Sequence, residues 1–254
     1  MSLYVGDGMT MILEIAYNGS AYHGWQVQGG TEVKTVQGTL QKALEKLLGQ
    51  GVSLTGCSRT DAGVHARQYF CTVSAEKINI PCASMPYALG SLLPGDIAVL
   101  GAYEAQEEFH PRYSCKEKEY VYELCDSTRK DPFLYGRAWQ VIEHLDEEKM
   151  ARAARAFVGT YDFSAFCASG ATVEDKTRTI YSCTVERTGH IVRVRVRGNG
   201  FLYNMVRIIV GTLTDVSKGK IKEDEIKNII ESKDRKKAGP TAPPDGLYLE
   251  GVYY

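Results

Sequence analysis

Two stretches read together decide the fold: MILEIAY (Met11–Tyr17) and TVQGTLQKALEKLLG (Thr35–Gly49). The first is a short apolar run suited to a strand. In the second the spacing changes, and Val36, Leu40, Ala43, Leu44, Leu47 and Leu48 recur at three and four residues. That predicts an amphipathic helix with Thr35 as N-cap and Gly49 just past its end. Strands follow at 52–57 and 68–74, then a weaker helix over 82–92 that the Pro94-Gly95 turn ends, then a strand over 97–103. The order is β-α-β-β-α-β.

The second half repeats it. A strand over 120–124 carries Tyr120, Tyr122 and Leu124 on one face. Asp146 caps a helix with Met150, Ala153, Ala154, Phe157 and Val158 inward, closed by Gly159. Segments 180–187 and 191–197 form a hairpin about Gly189-His190, with Val192, Val194 and Val196 alternating against Arg193, Arg195 and Arg197. A long helix is expected over 201–218, a shorter one over 222–231, and a strand over 247–252. The chain therefore reads as α+β: two ferredoxin-like β-α-β-β-α-β halves with antiparallel sheets. If they join edge to edge, their helix-free faces suit an extended ligand. The turn-rich stretch DSTRKDP, within 126–145, is read as the linker, so the halves are taken as 11–130 and 131–254. Residues 1–10 are read as an N-terminal extension, part of it left from cloning, with Met9 or Met11 as the natural start.

Composition narrows the function. Of 254 residues, 44% are hydrophobic and 24% charged, which excludes a disordered tail, a collagen-like fibre or a small disulfide-stapled module. No apolar run approaches the length of a membrane span, and no basic-then-apolar leader opens the chain, so a cytoplasmic protein is expected. Seven cysteines without a C-x-x-C pair suggest reduced thiols; neither they nor the five histidines have metal-ligand spacing, so no metal is expected. Thirty basic against 31 acidic residues leave a formal net charge of −1, so any nucleic-acid site must be a local basic patch on a neutral body.

The densest polar constellation is GCSRTDAGVHARQ (Gly56–Gln68), read as a loop between two strands, where catalytic groups concentrate. It holds one carboxylate, Asp61, two guanidiniums, Arg59 and Arg67, and His65, expected to fix the loop by a hydrogen bond. The plain alternative is a turn, with Asp61 in an Asx-turn ahead of Gly63. A lone carboxylate flanked by arginines is expected to stay ionised, which suits nucleophilic or electrostatic work better than proton donation.

SRTDAGVHA resembles the signature of the TruA family of tRNA pseudouridine synthases, built on an Arg-Thr-Asp core. YNGSAYHGWQVQ (Tyr17–Gln28), TVQGTLQKAL (Thr35–Leu44), FHPRYSCKEKEYVYEL (Phe109–Leu124), DFSAF (Asp162–Phe166), GNGFLYNMVRIIVGTL (Gly198–Leu213) and TAPPDGLYLEGVYY (Thr241–Tyr254) also resemble family segments, in the family's order. One departure is Ser58, where many members have glycine. The resemblance implies two ferredoxin-like halves around a central RNA-binding cleft, and isomerisation of uridine to pseudouridine at tRNA positions 38, 39 and 40 without a cofactor. It implies tRNA as partner and a homodimer bridged by one tRNA. By the same resemblance Asp61 is the catalytic carboxylate, Tyr120 stacks on the extracted base and takes part in removing its carbon-5 proton, and Arg207 pairs with the aspartate. Arg59 helps extract the nucleotide.

Met205 and Leu247 either line the base pocket or are plain core. Arg67, Arg112, Lys116 and Lys118 are expected on RNA, and Arg193, Arg195 and Arg197 either there or on a solvated outer face. Two alternatives stay open: a related synthase with another RNA target, and a non-catalytic tRNA-binding protein on the same scaffold.

Overall fold

A computed structural model describes residues 9–30, 33–170 and 173–254. The chain is mixed α+β and divides into two units, one running to Lys116 and including Gly251–Tyr254, the other Glu117–Glu250. The expected extension 1–10 lies outside the described residues as far as residue 8; Met9 and Thr10 already belong to the first strand.

The first unit runs β1 (Met9–Tyr17), α1 (Val36–Leu48), β2 (Ser53–Gly56), β3 (His65–Ala75), α2 (Met85–Gly90) and β4 (Ile97–Glu104). Its strands lie in the order β4-β1-β3, with β2 also on β3, all antiparallel. Helix α1 begins and ends where its residues predict: the Thr35 hydroxyl accepts from the Gly38 N–H, and Gly49 takes the left-handed conformation at φ 68°. Leu40 and Leu44 are buried with Leu13, Ile15, Tyr69, Met85 and Leu89. Strand β3 starts at His65, three residues before the expected 68, because Ala66 pairs with Tyr17 across a bulge in β1. The helix expected over 82–92 is a short 3-10 turn at Cys82–Ser84 followed by α2.

The second unit runs β5 (Glu117–Asp126), β6 (Trp139–Val141), α3 (Glu147–Ala154), β7 (Gly159–Asp162), β8 (Thr177–Thr188), β9 (Ile191–Gly198), α4 (Met205–Ser217), α5 (Glu225–Ser232) and β10 (Leu247–Tyr253), whose last residues count with the first unit. The strand order is β10-β5-β9-β8-β7, with β6 parallel to β5. The division between units falls at Lys116/Glu117 rather than near 130. The segment 126–145 is an internal connection of the second unit: β6 pairs with β5, and Asp126 accepts from the Leu145 N–H at 2.9 Å and faces Arg187 at 2.9 Å. Helix α4 starts at Met205, four residues later than expected, since Asn204 is left-handed at φ 60°. From there α4 is buried almost all round and forms the centre of this unit. No helix among the described residues is long and apolar enough to cross a membrane.

Candidate active site

In the first unit the polar loop is shorter than its sequence suggests. It spans 57–64, and His65 and Arg67 belong to β3. Segment 18–25 straps it down. The Trp25 N–H donates to the Thr60 carbonyl at 3.1 Å, the Gly63 N–H to the Tyr22 carbonyl at 3.2 Å, and within the loop the Val64 N–H to the Asp61 carbonyl at 3.1 Å. Tyr17 and Thr60 share a buried hydroxyl hydrogen bond of 2.7 Å. His65 does what its position suggests: its Nδ1 accepts from the buried Gly19 N–H at 3.0 Å, fixing strap to loop. The approach is so close that a Cβ on Gly24, itself at φ 81°, would lie 2.4 Å from the Thr60 carbonyl oxygen. Only glycine fits there. On the other side the Tyr69 hydroxyl donates to the Ser58 carbonyl at 2.5 Å, beneath a Trp25–Tyr69 ring contact of 4.2 Å. Asp61, the only carboxylate of the loop, is half-buried, and Arg59 is exposed.

In the second unit β5 and α4 carry the other candidates. Tyr120 on β5 is buried, pairs with Val196 and meets Phe201 edge-on at 5.1 Å between ring centroids. Arg207, on the first turns of α4, is half-buried rather than a snorkelling surface group. Its Nε donates to the Ala242 carbonyl and its Nη1 to the Asn204 Oδ1, each at 2.7 Å. The Ala242 N–H returns a bond to the Arg207 carbonyl at 3.1 Å.

Segment 238–242 reaches this position because α4 carries glycine where it passes: a Cβ on Gly211 would sit 1.8 Å from the Pro240 oxygen. The Gly239 N–H donates to the Thr212 hydroxyl at 2.9 Å. The neighbouring Tyr122 donates to the Pro243 carbonyl at 2.7 Å; burial pushes its phenol well above the ordinary range, while the positive charge of Arg207 pulls the other way.

Of the residues read from sequence, Asp61, Arg59, Arg67, Arg112 and Lys116 belong to the first unit, and Lys118, Tyr120, Met205, Arg207 and Leu247 to the second. Arg59, Arg67, Arg112 and Lys116 are exposed and Lys118 is half-exposed. Met205 and Leu247 are buried in the core of their unit, at 1% and 7% exposure. Arg193, Arg195 and Arg197 are engaged by carboxylates across the sheet, with Glu123 at 3.0 Å, Glu119 at 2.6 Å and Glu117 at 2.5 Å. Sequence reading missed Asn204 and Ala242; neither a left-handed backbone nor a carbonyl placed by a passing segment leaves a periodic signal. Among the described residues no group of three or more His, Cys, Asp or Glu side chains is placed to hold a metal ion.

Comparison with known proteins adds the family. A family model described as tRNA pseudouridine synthase matches residues 14–114 and 153–254. A protein of Acetivibrio thermocellus named tRNA pseudouridine synthase A is 48% identical, over 95% of this chain and 98% of its own. Proteins of the same name from Thermoanaerobacter sp. (strain X514) and Bacillus subtilis (strain 168) are 46% and 43% identical, over 96% and 97% of this chain and 99% of theirs. A chain of a solved Cbf5-Nop10-Gar1 complex matches at a TM-score of 0.35 and 14% identity, over 80% of this chain and 53% of that one, too slight a likeness to carry an argument.

Proposed function

The chain belongs to the tRNA pseudouridine synthase family and isomerises uridine in tRNA, and from that premise we propose that it acts at positions 38, 39 and 40 of the anticodon stem-loop with Asp61 as the catalytic carboxylate. The observation that carries the assignment of Asp61 is the strapped loop. A single carboxylate stands half-buried on a backbone tied down by strap, strand and a glycine that admits no Cβ. Such fixation is what catalysis by positioning needs, because a displacement of about 1 Å costs roughly 100-fold in rate.

The reaction breaks the bond from ribose carbon-1 to base nitrogen-1 and forms one from the same carbon to base carbon-5. The proton leaves carbon-5 and nitrogen-1 gains one, so atoms balance without an external reagent. Asp61 acts as an anion, whether it attacks the ribose, attacks the base or abstracts a ribose proton. Arg207, oriented by Ala242 and Asn204, supplies a positive charge for the departing base. Tyr120 offers a ring for the extracted base to lie against and a hydroxyl for the carbon-5 proton. Leu247 forms the apolar wall of the base site, whereas Met205, at 1% exposure, is left to the core.

Arg59 helps draw out the nucleotide. Arg67, Arg112, Lys116 and Lys118 hold phosphates, which positions tRNA without reading its sequence. The strand orders β4-β1-β3-β2 and β10-β5-β9-β8 are the same permutation, which supports reading each unit as a ferredoxin-like half. The enzyme works as a cytoplasmic homodimer bridged by one tRNA.

The test is tritium release from tRNA labelled at uridine carbon-5, with chelator present, comparing the intact protein with Asp61→Ala. Release confined to positions 38–40 and abolished by the substitution is the expected result. Undiminished release from Asp61→Ala, or release from other positions, would overturn the assignment.

A further inference from the structure

Only two non-glycine residues among those described have positive φ: Asn204 at 60° and Lys233 at 54°. Lys233 ends α5, where a left-handed residue is an ordinary helix terminator. Asn204 stands at the opposite kind of place, the N-cap of α4. An N-cap residue is normally extended, with its side-chain oxygen accepting from a backbone N–H of the first turn. Asn204 does neither, and its side chain makes no cap hydrogen bond. Its Oδ1 accepts from Arg207 Nη1 at 2.7 Å instead.

The residue type follows from the two demands taken together. A left-handed backbone alone is best served by glycine, and asparagine is among the few other residues that tolerate it. Capping alone is served by Asn, Asp or Ser, but in extended conformation with the side chain turned to the first turn. A left-handed residue that also carries an acceptor three positions before an arginine satisfies neither optimum; it satisfies the guanidinium. The Ala242 carbonyl takes a second donor, Nε, at 2.7 Å, so at least two of the five N–H groups have fixed acceptors and the plane of the group is set. Together the two acceptors orient the cation. Strain kept at one residue beside a functional group is the pattern of a pre-organised site.

The geometry points to Asn204 as a positioning residue that sets the plane of Arg207 for the reaction. This rests on Arg207 serving the reaction, as proposed above.

The test uses Asn204→Gly, Asn204→Asp and Arg207→Lys in the full-length protein, reading kcat and KM for tRNA by tritium release, and Tm. Glycine keeps the backbone, relieves its strain and deletes the acceptor, so Tm is expected equal or higher while kcat falls on the order of 10- to 100-fold, the worth of a hydrogen bond to a charged group. KM stays within about 2-fold, since the bond acts on the arginine and not on tRNA binding. Aspartate restores an acceptor and recovers most of the lost kcat.

Wild-type kcat in Asn204→Gly, or equal loss in the glycine and aspartate variants, would overturn the inference. So would a fall in Tm with parallel changes in kcat and KM, which describes a purely structural residue. If Arg207→Lys is impaired while Asn204→Gly is not, Asn204 alone is misassigned. Wild-type kcat in Arg207→Lys would show that the charge suffices without an oriented plane and would overturn the inference.

Discussion

The second unit holds arginines in two ways. On β9, Arg193, Arg195 and Arg197 lie against Glu123, Glu119 and Glu117 of β5, and the Glu119 carboxylate raises the affinity of Arg195 for its proton. On α4, Arg207 gives its Nε and Nη1 to a peptide carbonyl and an amide. A carboxylate holds a guanidinium chiefly by charge; a carbonyl and an amide hold it by direction. The first arrangement stabilises a sheet. The second sets the plane of a single side chain.

The strongest way to break this contrast is at Arg207. Arg207→Lys keeps the charge but cannot reach both Ala242 and Asn204 with a planar fork, so kcat is expected to fall about 100-fold or more with little change in Tm. A lysine variant of normal rate would show that charge alone suffices. Next in size is Gly211→Ala. The added methyl meets the Pro240 oxygen, and segment 238–242 must move and take the Ala242 acceptor with it. A loss of roughly 2–3 kcal/mol in urea unfolding is expected, together with lowered kcat.

The ladder should respond in stability rather than rate. Arg195→Met leaves Glu119 without this partner. Because the arginine side chain is 38% exposed, solvent screening limits the cost to about 1 kcal/mol, and kcat is expected unchanged. Adding Glu119→Gln should recover part of that loss, which a double-mutant cycle measures.

Smaller still is the effect on salt dependence. Arginines already facing carboxylates displace few counterions, so Arg193→Gln should barely alter the slope of log tRNA affinity against log salt, whereas Arg112→Gln should reduce it by about 0.7–0.9 if it holds a phosphate. Equal changes would put the ladder on the RNA.

The smallest effect concerns an ion pair outside the ladder. Asp162 sits at about 2, well below the usual carboxylate range, chiefly through Lys233 at 2.8 Å and then the Ser164 hydroxyl. Its folded value is depressed, so its contribution is complete above the unfolded value of 3.8 and lost as pH falls toward 2. Asp162→Asn should lower stability at pH 7 by about 0.5 kcal/mol, solvent screening discounting this partly exposed pair, and flatten the acid limb of a stability–pH curve in that window by the same amount.

These contrasts also show what the amino-acid order makes legible. Helix α1 is readable because its determinants are local: Thr35, the apolar stripe and Gly49 all act within one helix length. The β8–β9 hairpin is readable for the same reason, since alternation and Gly189 are contiguous. Strands β6 and β7, of three and four residues, exist through their pairing with β5 and β8 and leave no pattern of their own. The charged run after Asp126 resembles a linker locally, while the bonds that make it internal come from Leu145 and Arg187.

The site divides along the same line. Asp61 and Arg207 stand out as charges in turn-like and apolar surroundings. The carboxylates that occupy Arg193, Arg195 and Arg197 lie 70 to 80 positions away, and the backbone twist of Asn204 has no letter in the sequence.

The membership of Gly251–Tyr254 in the first unit has a consequence in time. Gln68 waits for the Val252 N–H, the Lys116 N–H for the Tyr253 carbonyl, and Phe70 and Phe109 for the ring of Tyr254. On a ribosome making about 5–20 residues per second, residues 117–250 separate these partners by roughly 7–27 s. The half that carries Asp61 therefore leaves the tunnel first and is completed last. During that interval its exposed strand edge and unpaired aromatic rings are the surface a chaperone would meet, and slower translation would prolong the wait.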